Sequence, residues 1–560
     1  MKIFSRPAGD DQAPGKYGIA MVLLCIVCIG IGWKAVWLWQ DVFPFNADEA
    51  ITGLMARHIL QGARPVFFYG QSYMGSLDAF LVAGLFRLLG DGVLPIRILQ
   101  TILYTCTIIT TAALGKSITD SWRVGCLAAL FMAVPTVNVV LYTTVSLGGY
   151  GEALLLSNCA FLCASVLSNR LVSGAAIRKL DWFLVGLLGF ISGLGFWVFG
   201  ITLVATIPAV LQVLAVLIRS HKTTRKPFFI AAVLLALFFV LGSLPWWMDS
   251  LRNGVMPLIK ELSGSAVSVE DGNWFSRSAT HLFYFVFLGL PAALGFRPPW
   301  EFRWLVLPLI PVILIGWGVA FVIFVRLIKT TATGIRSKWY MLLGSVGLLI
   351  AGFIFTPFGL DPSGRYFLPL AVPFSLLLAW VLDSKFKQKW IQVLAIVLLL
   401  FFHAFGTWQA AGKNPPGVTT QFDAVSWIDH RYDRELIGFL QANGELRGYS
   451  NYWVSYPLAF LSKEAIIFSP RLPYHADLRY TSRDDRYPQY TQLVQKSDKT
   501  AYITTFNPAL DEKIQQGLAG LNITWQEKII GDYRIYYHLS RAVHPVEIGL
   551  GVDVPVREEK

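Results

Sequence analysis

The chain has 560 residues, of which 55% are hydrophobic and only 15% are charged. Soluble domains carry charge on about a quarter of their residues, so this composition excludes an ordinary soluble protein and indicates a membrane protein. The formal net charge of +12 is accounted for by Lys and Arg in cytoplasmic loops, and no RRM, zinc-finger or basic-helix pattern indicates a nucleic-acid partner.

Long apolar runs recur from the start of the chain to about residue 406. Each is close to the roughly 20 residues that a helix needs to cross a bilayer. The first run is too long for the apolar core of a signal peptide, so it is interpreted as a retained span. About eleven spans are predicted, near 17–39, 96–115, 124–141, 150–167, 182–199, 200–218, 227–247, 304–326, 339–357, 367–382 and 390–406.

The distribution of Lys and Arg predicts the orientation of these spans. Basic residues cluster in 1–16, 116–123, 170–179, 219–226, 326–338 and 385–389, whereas the short loops between these clusters are nearly free of them. Because basic loops stay in the cytoplasm, the N-terminus is expected there. An odd number of spans then places the C-terminal part outside, so we expect a multi-pass protein of the plasma (inner) membrane with an extracytoplasmic C-terminal domain.

Two of the predicted outer loops are long, 40–95 and 248–303. The first contains "SLDAFLVAGLFRLLG" (76–90), which is too short and too charged for a span and is expected to be a helix in the membrane interface. The second contains "THLFYFVFLGLPAALGF" (280–296), which is expected to be interfacial or re-entrant.

The composition changes near residue 407. Helix-like runs (433–443, 508–519) alternate with short strand-like runs (447–452, 465–468, 500–505, 533–539), which is typical of a small α/β domain. The predicted fold is therefore an α-helical polytopic membrane domain, 1–406, followed by a soluble α/β extracytoplasmic domain, 407–560.

The stretch "NADEA" after the first span places two acids at the expected outer edge of the membrane. Asn46 at a helix start with Glu49 three residues later predicts a capping box, and Gly62 predicts the helix end. Glu49 is then a helix cap, or alternatively an auxiliary acid. Asp48 falls in the first turn, where the helix dipole favours its ionised form, as a general base requires.

Two further charged residues fall in predicted outer loops. Glu152, in "SLGGYGEALLL", is the one charge in a long uncharged stretch, and Arg365, in "GLDPSGRYFLPL", is the one base of its loop. Glu152 is interpreted as a functional acid or as an acid that snorkels or caps at the membrane edge. The Arg365 fork suits a phosphate, and the alternative is an interfacial anchor.

These motifs make the chain resemble the polytopic GT-C glycosyltransferases, the group that includes protein O-mannosyltransferases (family 39-type) and the aminoarabinose transferase of lipid A. The resemblance lies in "ADEA", "ILQGARPVFFYGQSYMGSLDAF", "SLGGYGEALLL" and "GRYFLPL", and in layout it spans about 1–406. It implies an inverting enzyme that takes one sugar, a hexose or a pentose, from a polyprenyl-phosphate carrier to a hydroxyl of an acceptor lipid, glycan or protein.

The resemblance also implies roles for residues. Asp48 would be the general base, Glu152 a second acid that orients donor or acceptor, and Arg365 the residue that holds the departing lipid phosphate. Further substrate-binding candidates near the expected head group are Tyr366, Arg57, Arg64, Tyr69 and Tyr73.

No cofactor is demanded by this chemistry, because one base and one phosphate clamp suffice. All six cysteines lie in apolar runs, and no His/Asp/Cys cluster at ligand spacing is found on the outer side, so no metal site is predicted. A transporter or flippase for lipid-linked glycans, or a polymerase of them, is the alternative. The enzyme interpretation requires that Asp48, Glu152 and Arg365 meet around one cleft.

Overall fold

The structure is a computed structural model that describes residues 16–171, 177–220, 225–256, 258–259, 273–361, 363–386, 388–422, 424–475 and 477–552. The polar N-terminus, residues 1–15, and part of the predicted loop 248–303 lie outside the described residues.

The described chain is mostly helical, with a small sheet near its C-terminal end. The helices are α1 Lys16–Trp39, α2 Ala47–Leu60, α3 Leu77–Leu89, α4 Val93–Thr119, α5 Trp122–Ala133, α6 Val137–Tyr142, α7 Tyr150–Leu171, α8 Lys179–Val198, α9 Leu203–Ser220, α10 Lys226–Gly242, α11 Leu244–Asn253, α12 Trp274–Tyr284, α13 Leu290–Ala293, α14 Ile310–Thr330, α15 Thr333–Phe355, α16 Ala371–Lys385, α17 Lys389–Ala411, α18 Asp433–Ala442, α19 Tyr452–Leu461, α20 Pro488–Gln495 and α21 Pro508–Gly520. The strands are β1 Phe67–Phe68, β2 Gln71–Gly75, β3 Arg447–Tyr449, β4 Ile467–Ser469, β5 Ala501–Thr505, β6 Gln526–Ile530 and β7 Tyr533–Tyr537.

Within the described residues, nine helices are long and apolar enough to cross a membrane, and the bent pair α10–α11, with a 66° angle, makes up to ten. The chain is thus a multi-pass membrane protein, as predicted. The span expected at 124–141 is instead two short helices, α5 and α6. They are separated at Val134–Thr136, where Pro135 lacks the N–H that a continuous helix would use.

The two semi-apolar runs predicted in the long loops are both helical. The first is α3, which has 13 residues and is therefore too short to cross a bilayer. The second comprises α12, a π-helical turn at Phe285–Gly289 and α13.

Small residues and buried hydroxyl groups hold the central helices together. A Cβ on Gly125 would lie 2.3 Å from the Ala112 carbonyl oxygen, so only glycine allows α5 to approach α4 this closely. On α7, the Asn158 amide donates to the Thr111 hydroxyl at 2.9 Å and to the Thr107 carbonyl at 3.2 Å. Such contacts replace the hydrophobic driving force that is absent between helices surrounded by lipid.

The two ends of the bundle carry different charged side chains. At one end Lys338 donates to the Ser117 carbonyl at 2.6 Å and to the Asn169 side chain at 2.7 Å, beside the basic segments that were predicted to be cytoplasmic. The opposite end carries Asp48 and Glu152, each in the first turn of its helix.

Residues 412–552 form the C-terminal sheet region. Its five-stranded sheet has the order β4-β3-β5-β7-β6, in which β4, β3 and β5 are parallel and β7 and β6 are antiparallel to their neighbours. The last long helix ends at Ala411, a few residues beyond the boundary expected at 406.

The C-terminal sheet region packs onto the bundle through α19 and α2. The Phe460 ring lies over Gly53, where a Cβ would be only 2.5 Å from it, and the same ring contacts Phe45 with centroids 5.3 Å apart. Because Gly53 has no side chain, α19 comes close to α2 and reaches the helix start that carries Asp48.

Candidate functional site

The start of α2 holds Asp48 at the end of the bundle that faces the C-terminal sheet region. The Asn46 side chain caps the helix by accepting from the Glu49 N–H at 3.0 Å. Asp48 is half-buried in the first turn, where the helix dipole favours a carboxylate. The Tyr452 hydroxyl donates to Asp48 Oδ1 at 2.5 Å.

Glu49 points in a different direction from Asp48. It is fully buried and forms a two-pronged ion pair with Arg97 of α4, with Nε–Oε1 and Nη2–Oε2 both at 3.0 Å. Burial raises the pKa of Glu49, and the Arg97 charge opposes that rise. The predicted capping box is therefore only half present: Asn46 caps the helix, but the Glu49 carboxylate pairs with Arg97 rather than turning back to the cap.

Glu152 lies against Asp78, a residue of the run 76–90 that was not singled out from the sequence. Both are buried, and Asp78 accepts from the Gln100 amide at 3.1 Å and from the Ser146 hydroxyl. Burial raises the pKa of Asp78. Two adjacent buried carboxyl groups repel each other when both are ionised, so at least one of them is expected to carry a proton. The signal in the sequence was an acid in the first turn of a largely apolar helix.

A chain of hydroxyl groups connects this acid pair to the helix of Asp48. The Thr52 hydroxyl donates to the Asp48 carbonyl at 3.2 Å and lies 3.0 Å from the Ser146 hydroxyl. Ser146 in turn donates to Asp78. The two acidic positions therefore belong to one hydrogen-bonded network between α2, α3 and the segment before α7.

Arg365 lies among aromatic side chains and is paired with Asp361. Its Nε is 2.5 Å from Asp361 Oδ2, its Nη2 donates to the Tyr366 hydroxyl at 3.4 Å, and its guanidinium lies 5.1 Å from the Tyr366 ring centre. Tyr73 and Tyr150 also lie within electrostatic range. Asp361 was not singled out from the sequence, although it stands four residues before Arg365.

Tyr73 connects the Arg365 side of the site to the Asp48 side. Arg486, from the C-terminal sheet region, lies over the Tyr452 ring at 5.5 Å and donates to the Gly70 carbonyl at 3.2 Å. Burial lowers the pKa of Arg486, but the charges of Tyr452, Asp48 and Tyr73 outweigh that effect and raise it. Tyr73 thus lies within electrostatic range of both guanidinium groups.

The remaining predicted substrate-binding residues make other contacts. Arg57 pairs with Asp91 at 2.8 Å, and Arg64 donates to the carbonyls of its own segment, at Ala63 (2.7 Å) and Ile59 (3.2 Å). Tyr69 stacks on Tyr487 at 4.8 Å rather than facing Arg365. The structure brings five of the predicted residues to one end of the bundle: Asp48, Glu152, Arg365, Tyr366 and Tyr73. The other three, Arg57, Arg64 and Tyr69, make the contacts described above.

A buried lysine inside the first span was missed by the sequence analysis. Lys34 is 2% exposed and donates to the hydroxyls of Thr143 and Thr144, both at 3.0 Å, just before the segment that carries Ser146. An ionisable residue inside a span is expected to have partners of this kind.

Within the part of the chain that the structure describes, no group of three or more His, Cys, Asp or Glu side chains is arranged to hold a metal ion.

Comparisons with known proteins give a fold but no sequence relative. No protein-family model matches the chain. No curated protein matches it. Among solved structures it is similar to ArnT from Cupriavidus metallidurans, in the apo state (TM-score 0.59, 11% identity, 93% of this chain and 98% of that one) and bound to undecaprenyl phosphate (TM-score 0.55, 11% identity, 92% and 97%). The oligosaccharyltransferase of Archaeoglobus fulgidus is a weaker match (TM-score 0.48, 12% identity, 86% and 67%). The chain has the fold of these ArnT structures, which is the GT-C fold.

Proposed function

We propose that this protein is an inverting glycosyltransferase that moves a single sugar from a polyprenyl-phosphate carrier to an acceptor hydroxyl. The observation that carries the proposal is that Tyr73 lies near two guanidinium groups, those of Arg365 and Arg486. Arg486 in turn lies over the ring of Tyr452, whose hydroxyl binds Asp48. This arrangement offers a base for the acceptor and a cation for the phosphate.

The reaction follows from the charges of these two residues. Asp48 takes the proton of the acceptor hydroxyl as its oxygen attacks the anomeric carbon, and the bond from that carbon to the phosphate oxygen breaks. The electron pair leaves with the lipid phosphate, whose charge Arg365 stabilises. A single displacement with one base inverts the anomeric centre.

The Asp78–Glu152 pair supplies a second acidic group with a proton of its own. Attack at the sugar builds positive charge on the ring, which a nearby carboxyl pair stabilises. We propose that Glu152 orients the sugar or the acceptor and that Asp78 holds Glu152 in place. The hydroxyls of Thr52 and Ser146 fix this pair relative to α2.

The donor is assigned by its chemistry. The similar ArnT structure holds undecaprenyl phosphate, and a polyprenyl chain suits a bundle whose outward side chains are apolar, as at Ile315 and Leu24, which are 68% and 58% exposed. The tail would stay in the bilayer while the phosphate reaches Arg365 and Tyr366. The sugar would then lie toward Tyr73 and Asp48.

We further propose that this end of the bundle faces outward, with the N-terminus in the cytoplasm and residues 407–560 as an extracytoplasmic domain. The bias of basic residues supports this orientation. A cysteine placed at the exposed Gln516 of the full chain should react with a membrane-impermeant thiol reagent in intact cells. Labelling only after lysis would reverse the assignment.

The test of activity uses the full-length protein in lipid nanodiscs with a panel of polyprenyl-phosphate hexoses and pentoses. Release of the lipid phosphate and transfer of the sugar are measured together. We expect Asp48→Asn to abolish both, whereas Asp41→Asn should not, because Asp41 is an exposed acid at the same end of the bundle. Full activity of well-folded Asp48→Asn would exclude the assigned base.

Sealed proteoliposomes separate an enzyme from a carrier of lipid-linked glycans. A transporter or flippase would move the intact donor across the bilayer of the vesicle without releasing lipid phosphate, and a polymerase would extend a glycan by repeated additions. Either result would replace the proposed single-sugar transfer.

A further inference from the structure

The C-terminal sheet region contributes a side chain directly to the proposed base. Tyr452 stands 404 residues after Asp48, yet its hydroxyl lies 2.5 Å from Asp48 Oδ1. Oδ1 of the proposed base is therefore held by a side chain of the C-terminal sheet region.

Tyr452 is held rigidly in this position. It is the first residue of α19, whose cap is the Asn451 side chain, which accepts from the Val454 N–H at 3.2 Å. The Asn451 amide also donates to Thr505 Oγ1 of β5 at 3.1 Å. The Tyr452 ring is 4% exposed and packs edge-on against Trp453 and Tyr456. The sheet therefore fixes the helix, and the helix fixes the hydroxyl.

The charge state of Tyr452 makes it a donor and not a second base. Burial and the Asp48 charge both raise the pKa of Tyr452 well above its ordinary value, so the phenol stays protonated. The Arg486 guanidinium over its ring draws electron density from the oxygen and strengthens the hydrogen bond that the hydroxyl donates.

We propose that Tyr452 is a positioning residue for Asp48. The bundle supplies the reactive carboxylate, and the C-terminal sheet region supplies the hydroxyl that orients it. The inference rests on the proposed role of Asp48 as general base. A hydrogen bond from a fixed donor orients a carboxylate, so its loss should lower the rate of the chemical step and leave donor binding unchanged.

The variant that tests this is Tyr452→Phe, with Tyr456→Phe as matched control. Tyr456 is also buried in α19, but its hydroxyl donates to the Asp484 carbonyl at 3.2 Å and accepts from the Tyr487 N–H. We expect Tyr452→Phe to lower kcat about tenfold at neutral pH and to leave the donor KM unchanged. Tyr456→Phe should leave both kcat and KM unchanged.

A second measurement does not depend on turnover. Carbodiimide with an amine nucleophile modifies carboxyl groups, and mass spectrometry of the peptide containing Asp48 gives the rate at which this carboxyl group reacts. That rate should rise severalfold in Tyr452→Phe and not in Tyr456→Phe, because the Tyr452 hydroxyl covers Oδ1. An unchanged rate overturns the inference even when the wild type turns over no donor. A wild type without turnover, together with a faster reaction in Tyr452→Phe, contradicts the proposed function alone.

Discussion

Replacing Glu49 by Gln tests whether the two adjacent acids of α2 have different roles, with Glu49 stabilising the fold and Asp48 acting in the reaction. Glu49 is 0% exposed and Arg97 is 6% exposed, and both arms of the guanidinium fork bind the carboxylate at 3.0 Å. Removing one partner of a buried ion pair costs about 3–5 kcal/mol, because the other charge remains without compensation. Gln keeps one oxygen acceptor, so we expect a loss near the lower value, about 3 kcal/mol.

A loss of about 3 kcal/mol corresponds to roughly a hundredfold change in the unfolding equilibrium constant. The assay is unfolding in mixed micelles followed by tryptophan fluorescence, combined with turnover per folded molecule. The double variant Glu49→Gln/Arg97→Met should recover at least half of the loss, because it removes the uncompensated charge as well.

The reasoning predicts opposite results for the neighbouring acid. Asp48→Asn should retain the stability of the wild type and lose turnover, whereas Glu49→Gln should lose stability and keep most of its turnover per folded molecule. A Glu49→Gln protein that unfolds like the wild type but has no activity would refute the structural assignment and make Glu49 an auxiliary acid.

Three further changes test the surroundings of the site. Against the effect of burial, the hydrogen bonds of His58 and Tyr490 lower the pKa of Glu464 from 4.5 to about 2. Because solvent screens this partly exposed group, the free energy of unfolding of the wild type should exceed that of Glu464→Gln by only about 1–2 kcal/mol above pH 4.5, and the difference should disappear as the pH of the unfolding titration falls toward 2. Gly70→Ala should cost about 1–2 kcal/mol in the same unfolding assay, because Gly70 has φ +68° and a Cβ would lie 2.7 Å from a side chain of the C-terminal sheet region, and unchanged stability would exclude that contact. Arg365→Lys should raise the donor KM about tenfold with little change in stability, because an ammonium group cannot bind the neighbouring carboxylate and a phosphate through one planar fork, and an unchanged KM would exclude Arg365 as the phosphate ligand.

Local patterns in the sequence predicted most of the fold. Runs of apolar residues long enough to span a bilayer identified the helices, since their length is set by the membrane itself. The interruption at Pro135 was the main departure, because a short break hardly alters the mean hydropathy of its segment although it removes a backbone hydrogen bond. The alternation of helix-like and strand-like runs likewise predicted the elements of the C-terminal sheet region, such as α21 and β5.

Glu152 and Arg365 were found from sequence because each is a charge near apolar residues, where an ionisable side chain needs a reason to be present. Asp48 was found as one of two adjacent acids that follow the first span. Their partners do not stand out. Tyr452 lies in a stretch of ordinary soluble composition, and nothing local indicates that its hydroxyl reaches a residue 404 positions earlier.

The sequence by itself determined that the chain crosses a membrane many times and that its unusual charges gather near one end of the bundle, because hydropathy and isolated charge are properties of short segments. Only the tertiary structure decided which acid does what. Asp48 and Glu49 are adjacent in sequence and almost indistinguishable by composition, but one faces Tyr452 and the other is buried against Arg97. Packing between helices far apart in the chain sets that difference, and no local pattern records it.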